Sequence, residues 1–305
     1  MKLVIGTRAS RLALIQTQWV ADALRRQNPA VEVEIKTITT KGDRIQDLPL
    51  DQIGGQGIFT RAIVAALRSG EIDLAVHSLK DMPSAMEEGL DLACVPARED
   101  PRDALVTRPG IASLEELPMG AKIGCGSKRR ICQLLALRPD LEIRPIRGNV
   151  DTRLDRIERD GLDGTILAVS GLKRLGWEGH ICHPFSPDEM IPACGQGALG
   201  LQIRADDRAV KAALAPLEDP LATRQAAAER AFLAAAGGSC HLPVGAYCRV
   251  EEGRSTLLGM LGTEDGPLWV EGRESAPAGE EAALGRRLGE QLKAQLARRL
   301  RETDR

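Results

Sequence analysis

Hydrophobic and polar positions in the first hundred residues change repeatedly between the two-residue period of strands and the wider period of amphipathic helices. Apolar and β-branched runs predict strands at residues 3–5, 31–40 and 72–76. Apolar positions three and four residues apart predict helices at residues 10–26 and 59–68. The order strand, helix, strand, helix, strand is typical of an α/β domain.

The first helix has a recognisable start, because Ser10 is a favourable N-cap residue directly before an amphipathic stretch. We expect the buried face of this helix to carry Leu12, Ile15, Trp19 and Ala23. Residues 41–57 are rich in Gly, Asp and Pro and predict a long loop before the second helix.

The pattern begins again after residue 101 and predicts a second α/β unit of similar size. Its predicted strands lie at residues 104–107, 122–124, 141–145 and 165–169. Its predicted helices lie at residues 113–117, 127–137 and 150–159. No residue-level repeat relates the two units.

The chain changes character after residue 199. An Ala-rich helix is predicted at residues 217–237, β-like runs with Gly turns at 244–270, and a long helix at 278–301. This succession predicts a smaller α+β domain at the C-terminus. Two α/β units beside a smaller domain suggest a cleft between domains, where small molecules commonly bind.

Composition excludes several function classes. A chain of 305 residues is long enough for two or three domains. A net charge of −2 and an aromatic content of 2% argue against a nucleic-acid binder or a polybasic membrane-surface protein. No apolar run approaches the ~20 residues of a membrane span. The N-terminal sequence lacks a signal-peptide pattern, so we expect a cytoplasmic protein.

The seven cysteines include no Cys-x-x-Cys pair, so the sequence predicts reduced thiols rather than disulfides or a zinc ribbon. His180, Cys182, His183 and Cys194 fit no standard metal spacing, and we favour a surface loop over a metal site. Residues 195–200 match the Gly-x-Gly-x-x-Gly pattern. They lack the strand-to-helix context of a dinucleotide site, so we expect a tight turn there.

Arginine is the more informative residue type, since 32 of the 41 basic residues are Arg. A GC-rich genome would explain this bias, and so would recognition of carboxylates or phosphates by the guanidinium fork. Position favours recognition, because many of these residues follow predicted strands, where open α/β sheets bind ligands. The residues concerned are Arg8, Arg11, Lys128, Arg129, Arg130, Arg147, Arg153 and Arg174.

Two further segments carry candidate chemistry. Lys80 and Asp81 follow a buried strand and precede Pro83, so they form either a plain ion pair or a charged catalytic pair. Cys240 lies in a Gly-rich loop, which favours an accessible, reactive thiol over a core side chain.

These segments belong to a series of motifs in fixed order: TRAS, RLAL, KGD, GGQGIFT, HSLKDMP, EDPRDA, GSKRR, RGNVDTRL, SGLKRLG, PACGQGALG and GGSCHLPVGAY. The series resembles that of the porphobilinogen deaminase (hydroxymethylbilane synthase) family from about residue 3 to residue 250. The last 55 residues match only in general character.

The resemblance implies an α/β fold with two periplasmic-binding-protein-like domains and a smaller α+β C-terminal domain. By the family pattern, domain 1 comprises residues 1–97 and 198–215, domain 2 residues 98–197, and domain 3 residues 216–305. Domain 3 would carry the Cys240 loop.

The resemblance also implies a transferase that joins four porphobilinogen molecules head to tail into hydroxymethylbilane, releasing ammonia each time. A covalent dipyrromethane cofactor, one per chain, would be linked to Cys240 as a thioether, and Asp81 would be the catalytic carboxylate. The residues implied to bind cofactor or substrate carboxylates are Arg8, Ser10, Lys80, Ser127, Arg129, Arg130, Arg147, Arg153 and Arg174. No metal is implied.

The chain departs from the family pattern in two places. Gln52 and Gln56 stand where a mobile loop, which also includes Phe59, often carries Lys. Residues 124–130 read Gly-Cys-Gly-Ser-Lys-Arg-Arg in place of Gly-Thr-Ser-Ser-Leu-Arg-Arg. As partners we expect porphobilinogen, no nucleic acid and no membrane, a monomeric state, and a possible hand-off of product to the next enzyme. The alternative is a non-enzymatic, two-domain binder of a small polyanion.

Overall fold

The computed structural model describes residues 1–40, 60–238, 242–264 and 268–303. The chain divides into two compact units. The first comprises residues 1–99 and 198–226, and the second comprises residues 100–197 and 227–305. The division into three domains stays a prediction.

The first unit is built on a five-stranded sheet. Its strands are Lys2–Thr7 (β1), Glu32–Thr37 (β2), Leu74–Ser78 (β3), Leu90–Cys94 (β4) and Leu199–Arg204 (β10). The order is β2-β1-β3-β10-β4, with β1 parallel to β2 and β3, and β10 antiparallel to β3 and β4. The helices are Arg11–Gln27 (α1), Arg61–Arg68 (α2) and Arg208–Leu214 (α6).

The second unit contains a similar sheet. Its strands are Asp103–Thr107 (β5), Lys122–Gly124 (β6), Glu142–Arg144 (β7), Gly164–Ala168 (β8) and His183–Pro184 (β9). The order is β7-β6-β8-β5-β9, with β6 parallel to β7 and β8, and β5 antiparallel to β8 and β9. The helices are Lys128–Leu137 (α3), Val150–Arg159 (α4) and Val169–Leu175 (α5).

The two sheets therefore share one plan: three parallel strands, a reversed fourth strand, and a fifth strand that again runs in the direction of the first three. The fourth strand is remote in sequence from its neighbours in the first sheet, since β10 follows β3 by more than a hundred residues. Because both sheets expose the carboxyl ends of their parallel strands, both offer the edge where α/β proteins bind ligands.

The C-terminal segment forms a three-stranded antiparallel sheet, Val244–Glu251 (β11), Arg254–Gly262 (β12) and Trp269–Pro277 (β13). The helices Pro220–Ala235 (α7) and Glu281–Thr303 (α8) accompany it, and Phe232 and Leu288 belong to its buried core. Gly285 lets these helices approach closely, because a Cβ there would lie 2.1 Å from the carbonyl oxygen of Ala228.

The α/β class with a small C-terminal sheet region is confirmed, and so are most predicted elements. The predicted buried face of α1 is correct only in part, since Ala23 is buried but Trp19 is not. Trp19 is 44% exposed, whereas Gln16 and Thr17 are buried. These polar side chains are buried with partners: Gln16 Nε2 donates to Ser78 Oγ at 3.1 Å, and Thr17 Oγ1 to the Ala13 carbonyl at 2.9 Å.

Residues 113–117 form a turn and not the predicted helix. The side chains of the turn satisfy its own backbone: Glu116 Oε2 accepts from the Ala112 N–H at 2.7 Å, and Ser113 Oγ from the Glu116 N–H at 3.3 Å. Sequence reasoning did not identify β4, α5 and α6 as elements, because each is a short segment with a weak periodic signal. None of the helices in the described part of the chain combines the length and the hydrophobicity that a membrane span needs.

Candidate functional site

The first group of predicted site residues lies where strands of the first unit end. Arg8 and Ser10 occupy the turn between β1 and α1, where both are half-buried. Ser10 is the N-cap of α1, and its Oγ accepts a hydrogen bond from the Ala13 N–H at 3.4 Å. The serine predicted to bind ligand therefore also starts the helix.

Lys80 and Asp81 lie in a 3₁₀ turn, Leu79–Asp81, directly after β3. Leu79 is buried and its N–H donates to the Ala198 carbonyl at 3.0 Å, which attaches the turn to the start of β10. Asp81 is exposed and Lys80 half-buried. The anchored turn thus presents a carboxylate at a defined place on the surface of the unit.

His77 lies on β3 near this turn and is buried, with Nε2 3.1 Å from Gln202 Oε1. Burial lowers the pKa of His77 to about 4, although the hydrogen bond to Gln202 and the charge of Asp81 act in the opposite direction. His77 is therefore neutral at pH 7, and Asp81 remains the candidate for proton transfer on this turn.

The second group lies in the second unit, where Ser127 caps α3 and its Oγ accepts from the Arg130 N–H at 3.5 Å. Arg129 and Arg130 are buried around a fully buried carboxylate, Asp103. Arg129 Nη1 donates to Asp103 Oδ2 at 2.7 Å, and Arg130 Nε donates to Oδ1 at 2.9 Å. Burial alone raises the pKa of Asp103, but the two guanidinium charges hold it well below its ordinary value.

Arg147 and Arg153 have a different environment. Arg153 Nε donates to the Gly148 carbonyl at 2.9 Å, and Arg147 Nη1 is buried without a hydrogen-bond partner among the described residues. Burial, and then the neighbouring charge of Arg130, lower the pKa of Arg153 to about 10. These two guanidinium groups lie close to other positive charges, so an anion placed beside them would be strongly favoured.

Arg174, the remaining predicted arginine, lies on α5 and donates from Nη2 to the Gly197 carbonyl at 2.7 Å. Gly195 and Gly197 adopt φ of 75° and 87° in a turn before β10, which confirms the prediction of a turn at the Gly-x-Gly-x-x-Gly segment. No group of three or more His, Cys, Asp or Glu that could hold a metal ion occurs among the residues described.

Sequence reasoning missed Asp103, Gln196 and Glu229 as parts of this region. Gln196 Nε2 donates to Asp103 Oδ1 at 3.0 Å. Glu229 is buried and accepts from the Gly195 N–H at 2.6 Å and from the Cys248 N–H at 3.0 Å. The motifs EDPRDA and PACGQGALG contained the first two residues, but no local pattern indicated that they meet.

Most of the described cysteines are buried, unlike the accessible thiol that is expected at Cys240. Cys94, Cys125, Cys194 and Cys248 are buried, whereas Cys132 is half-buried. Burial raises the pKa of Cys94 to about 12 and that of Cys132 to about 11, so both thiols are poor nucleophiles. Four predicted site residues, Gln52, Gln56, Phe59 and Cys240, lie outside the described residues.

Comparison with known families agrees with the motif series. Residues 3–212 match the family model described as porphobilinogen deaminase, dipyromethane cofactor binding domain, and residues 223–294 match the porphobilinogen deaminase C-terminal domain. The chain belongs to the porphobilinogen deaminase family.

Relatives named porphobilinogen deaminase cover nearly the whole chain. One from Roseiflexus sp. (strain RS-1) is 49% identical over 298 residues, covering 98% of both chains. One from Roseiflexus castenholzii is 50% identical over 290 residues, covering 95% of both chains. One from Syntrophotalea carbinolica is 47% identical over 298 residues, covering 98% of this chain and 94% of the relative.

Solved structures of solute-binding proteins align with this chain at low TM-scores. The L-cystine solute receptor of Neisseria gonorrhoeae aligns with a TM-score of 0.40 and 15% identity, covering 75% of this chain and 90% of its own. An arginine-specific periplasmic binding protein of Salmonella typhimurium aligns with a TM-score of 0.39 and 17% identity, covering 73% and 96%.

The described residues fit the cofactor after which the porphobilinogen deaminase domain is named. A dipyrromethane carries acetate and propionate groups, which are anionic at neutral pH. The unpartnered Nη1 of Arg147 and the lowered pKa of Arg153 mark positive charge that such carboxylates would compensate. The family's cofactor and the charge balance of this unit are therefore compatible.

Proposed function

We propose that this chain is a hydroxymethylbilane synthase, which joins four porphobilinogen molecules head to tail and releases one ammonia at each step. The sequence relationship supplies the reaction class. The observation that carries the proposal for the site is the arginine pair Arg147 and Arg153, whose positive charge has no acidic partner among the described residues. A growing polycarboxylate needs such compensation.

The carboxylates of cofactor and substrate are bound, in this proposal, by residues that follow strands of the two sheets. Arginine suits this role because its planar fork donates to both oxygens of a carboxylate at once. The residues assigned to binding are Arg8, Ser10, Lys80, Ser127, Arg129, Arg130, Arg147, Arg153 and Arg174.

Asp81 acts on the reacting pyrrole. Departure of ammonia from porphobilinogen leaves a cationic, electron-poor ring, and a fixed carboxylate near the pyrrole N–H stabilises that charge. The same carboxylate assists the proton transfers that accompany loss of the amine and restoration of aromaticity after coupling. Its exposed position on an anchored 3₁₀ turn supports direct contact with substrate.

Cys240 holds the cofactor as a thioether. A covalently held dipyrromethane supplies the free pyrrole α-position from which the chain is extended. We further propose that the protein works in the cytoplasm as a monomer, with porphobilinogen as substrate and the next enzyme as a possible recipient of product.

Intact mass and activity test this proposal together. The purified protein should weigh more than its sequence by two linked pyrrole units and give the Ehrlich aldehyde colour of a dipyrromethane. Cys240→Ser should remove the added mass, the colour and the release of ammonia. Cys182→Ser is the matched control, because Cys182 is a half-buried thiol outside the proposed site. A Cys240→Ser protein that kept the adduct would overturn the attachment.

A further inference from the structure

The carboxylate of Asp103 is surrounded by guanidinium and amide donors. It is 0% exposed, and its Oδ1 lies 2.9 Å from Arg130 Nε, 2.7 Å from Arg130 Nη2 and 3.0 Å from Gln196 Nε2. Its Oδ2 accepts from Arg129 Nη1 at 2.7 Å. One carboxylate therefore binds two guanidinium groups through different oxygens, which fixes the orientation of each relative to the other.

Backbone carbonyls complete the attachment of both arginines. Arg129 Nη1 also donates to the Ile191 carbonyl at 2.7 Å, and Arg130 Nη1 donates to the Ile166 carbonyl at 2.9 Å. The two side chains are only 6% and 8% exposed. Two guanidinium groups buried this deeply require a compensating negative charge, and Asp103 provides it.

The arginines of this unit thus fall into two kinds. Arg129 and Arg130 are held by Asp103, whereas Arg147 and Arg153 have no acidic partner among the described residues. The charge of Arg130 nevertheless reaches Arg153, since it contributes to lowering the Arg153 pKa. The position of Arg130 therefore influences the charge that meets an anionic ligand.

Gln196 and Glu229 connect Asp103 to the C-terminal sheet. Gln196 follows Gly195 in the turn before β10, and the Gly195 N–H donates to Glu229. The other oxygen of Glu229 accepts from the Cys248 N–H on β11. Buried hydrogen bonds thus join the Asp103 cluster to the strand that begins shortly after Cys240.

We propose that Asp103 is a positioning residue that holds Arg129 and Arg130 in the orientation that binds the carboxylates of cofactor and substrate. The inference rests on the proposed function of these arginines. Asp103 is fully buried, so its effect passes through the two guanidinium groups.

A double-substitution cycle tests the proposal with holoenzyme purified under identical conditions. Asp103→Asn, Arg130→Gln and the combined variant are compared by cofactor occupancy from intact mass, and by kcat and KM per cofactor-bearing molecule. Misplaced binding groups commonly cost up to ~100-fold, so we expect Asp103→Asn to raise KM by about tenfold or more with a smaller change in kcat. Cofactor occupancy should fall in parallel.

In the Arg130→Gln background, the added effect of Asp103→Asn on KM should be smaller than in the parent protein, because only the part that passes through Arg129 remains. Asp163→Asn is the matched control, since the Asp163 carboxylate accepts from Arg108 and from the Lys122 N–H in the same unit, and neither residue belongs to the proposed site. It should leave KM and occupancy unchanged.

An undiminished effect of Asp103→Asn in the Arg130→Gln background, or an unchanged KM in the single variant, would overturn the positioning role. Arg130→Gln with normal occupancy and KM would instead overturn the binding function proposed for Arg130. If Asp103→Asn does not fold, Gln196→Met removes one donor to Asp103 at similar volume and replaces it in the cycle. A smaller KM increase in Gln196→Met that the Arg130→Gln background again reduces then supports the proposal. An unchanged KM in Gln196→Met overturns it.

Discussion

Individual side chains near the proposed site differ in how their charge is compensated. Asp103 has two positive partners and is buried, whereas Asp81 is exposed on a turn after β3. A carboxylate committed to two guanidinium groups serves structure, and an exposed carboxylate on a fixed turn is free to meet a developing cation. The same residue type therefore has two roles, which only its surroundings distinguish.

Asp81→Asn should keep the fold and the bound cofactor but lower kcat by on the order of 100-fold or more, because the amide offers no negative charge to the deaminated ring. Ammonia release under saturating porphobilinogen measures this effect. Asp91→Asn is a suitable control, since Asp91 pairs with Lys211 on the surface of the same unit. Activity of Asp81→Asn within a few-fold of the unmodified enzyme would disprove the assignment.

His77 should make stability depend on pH. Its folded pKa of about 4 lies below the ordinary value of 6.5, so the unfolded chain binds more protons between these values. The free energy of unfolding should therefore fall as pH drops from 6.5 towards 4, with a His77 contribution of about 2 kcal/mol between pH 7 and pH 5.

Urea denaturation of His77→Gln at both pH values checks this expectation. The variant should lose less stability on acidification than the parent protein, because its side chain does not titrate. His180→Gln, which replaces an exposed histidine, should retain the full loss. Equal losses in the parent protein and His77→Gln would show that His77 does not carry the effect.

At the scale of elements, two residues of the proposed binding site are also helix N-caps. Ser10 caps the start of α1 and Ser127 that of α3, and the Oγ of each accepts a hydrogen bond from a backbone N–H in the first turn. A helix start after a parallel strand brings backbone N–H groups and the positive end of the helix dipole to the ligand edge. The element that positions the arginines thus also favours anions.

Substitutions at Ser127 separate capping from binding. Ser127→Ala should lower the free energy of unfolding by about 1 kcal/mol through loss of the cap. Ser127→Asp should preserve stability, because Asp is a good N-cap, but its charge should reduce cofactor occupancy beside Arg129 and Arg130. Denaturation and intact mass measure the two properties. Normal cofactor occupancy in Ser127→Asp would show that Ser127 caps the helix and does not take part in binding the cofactor.

At the scale of the whole molecule, the two five-stranded sheets share strand order and direction without sharing a recognisable sequence repeat. Their cores, such as those around Leu201 and Ile123, contain different apolar residues arranged on the same plan. Many combinations of side chains of suitable volume fill one architecture, which explains why the repeat is visible in topology and not in sequence.

Thiol titration of the whole chain provides a further prediction. The sequence has seven cysteines, and a thioether at Cys240 leaves one fewer, so the denatured holoenzyme should titrate six thiols. In the native state the four buried thiols should react slowly, because burial limits both access and ionisation. If a fully active preparation titrated seven thiols after denaturation, covalent attachment of the cofactor through a cysteine would be contradicted.

The sequence by itself determined the order of most strands and helices, the family, and the placement of arginines after strands, because periodicity, turn residues and motifs are local properties. Tertiary structure alone decided which face of α1 is buried, since its periodicity allowed more than one face and Gln16 finds its partner in the distant Ser78. It also brought Asp103 to Arg129 and Arg130 across more than twenty residues of chain. The buried charge of an arginine and the carboxylate that compensates it meet only when the sheet assembles, so the two kinds of arginine in the proposed site became distinguishable only in the folded protein.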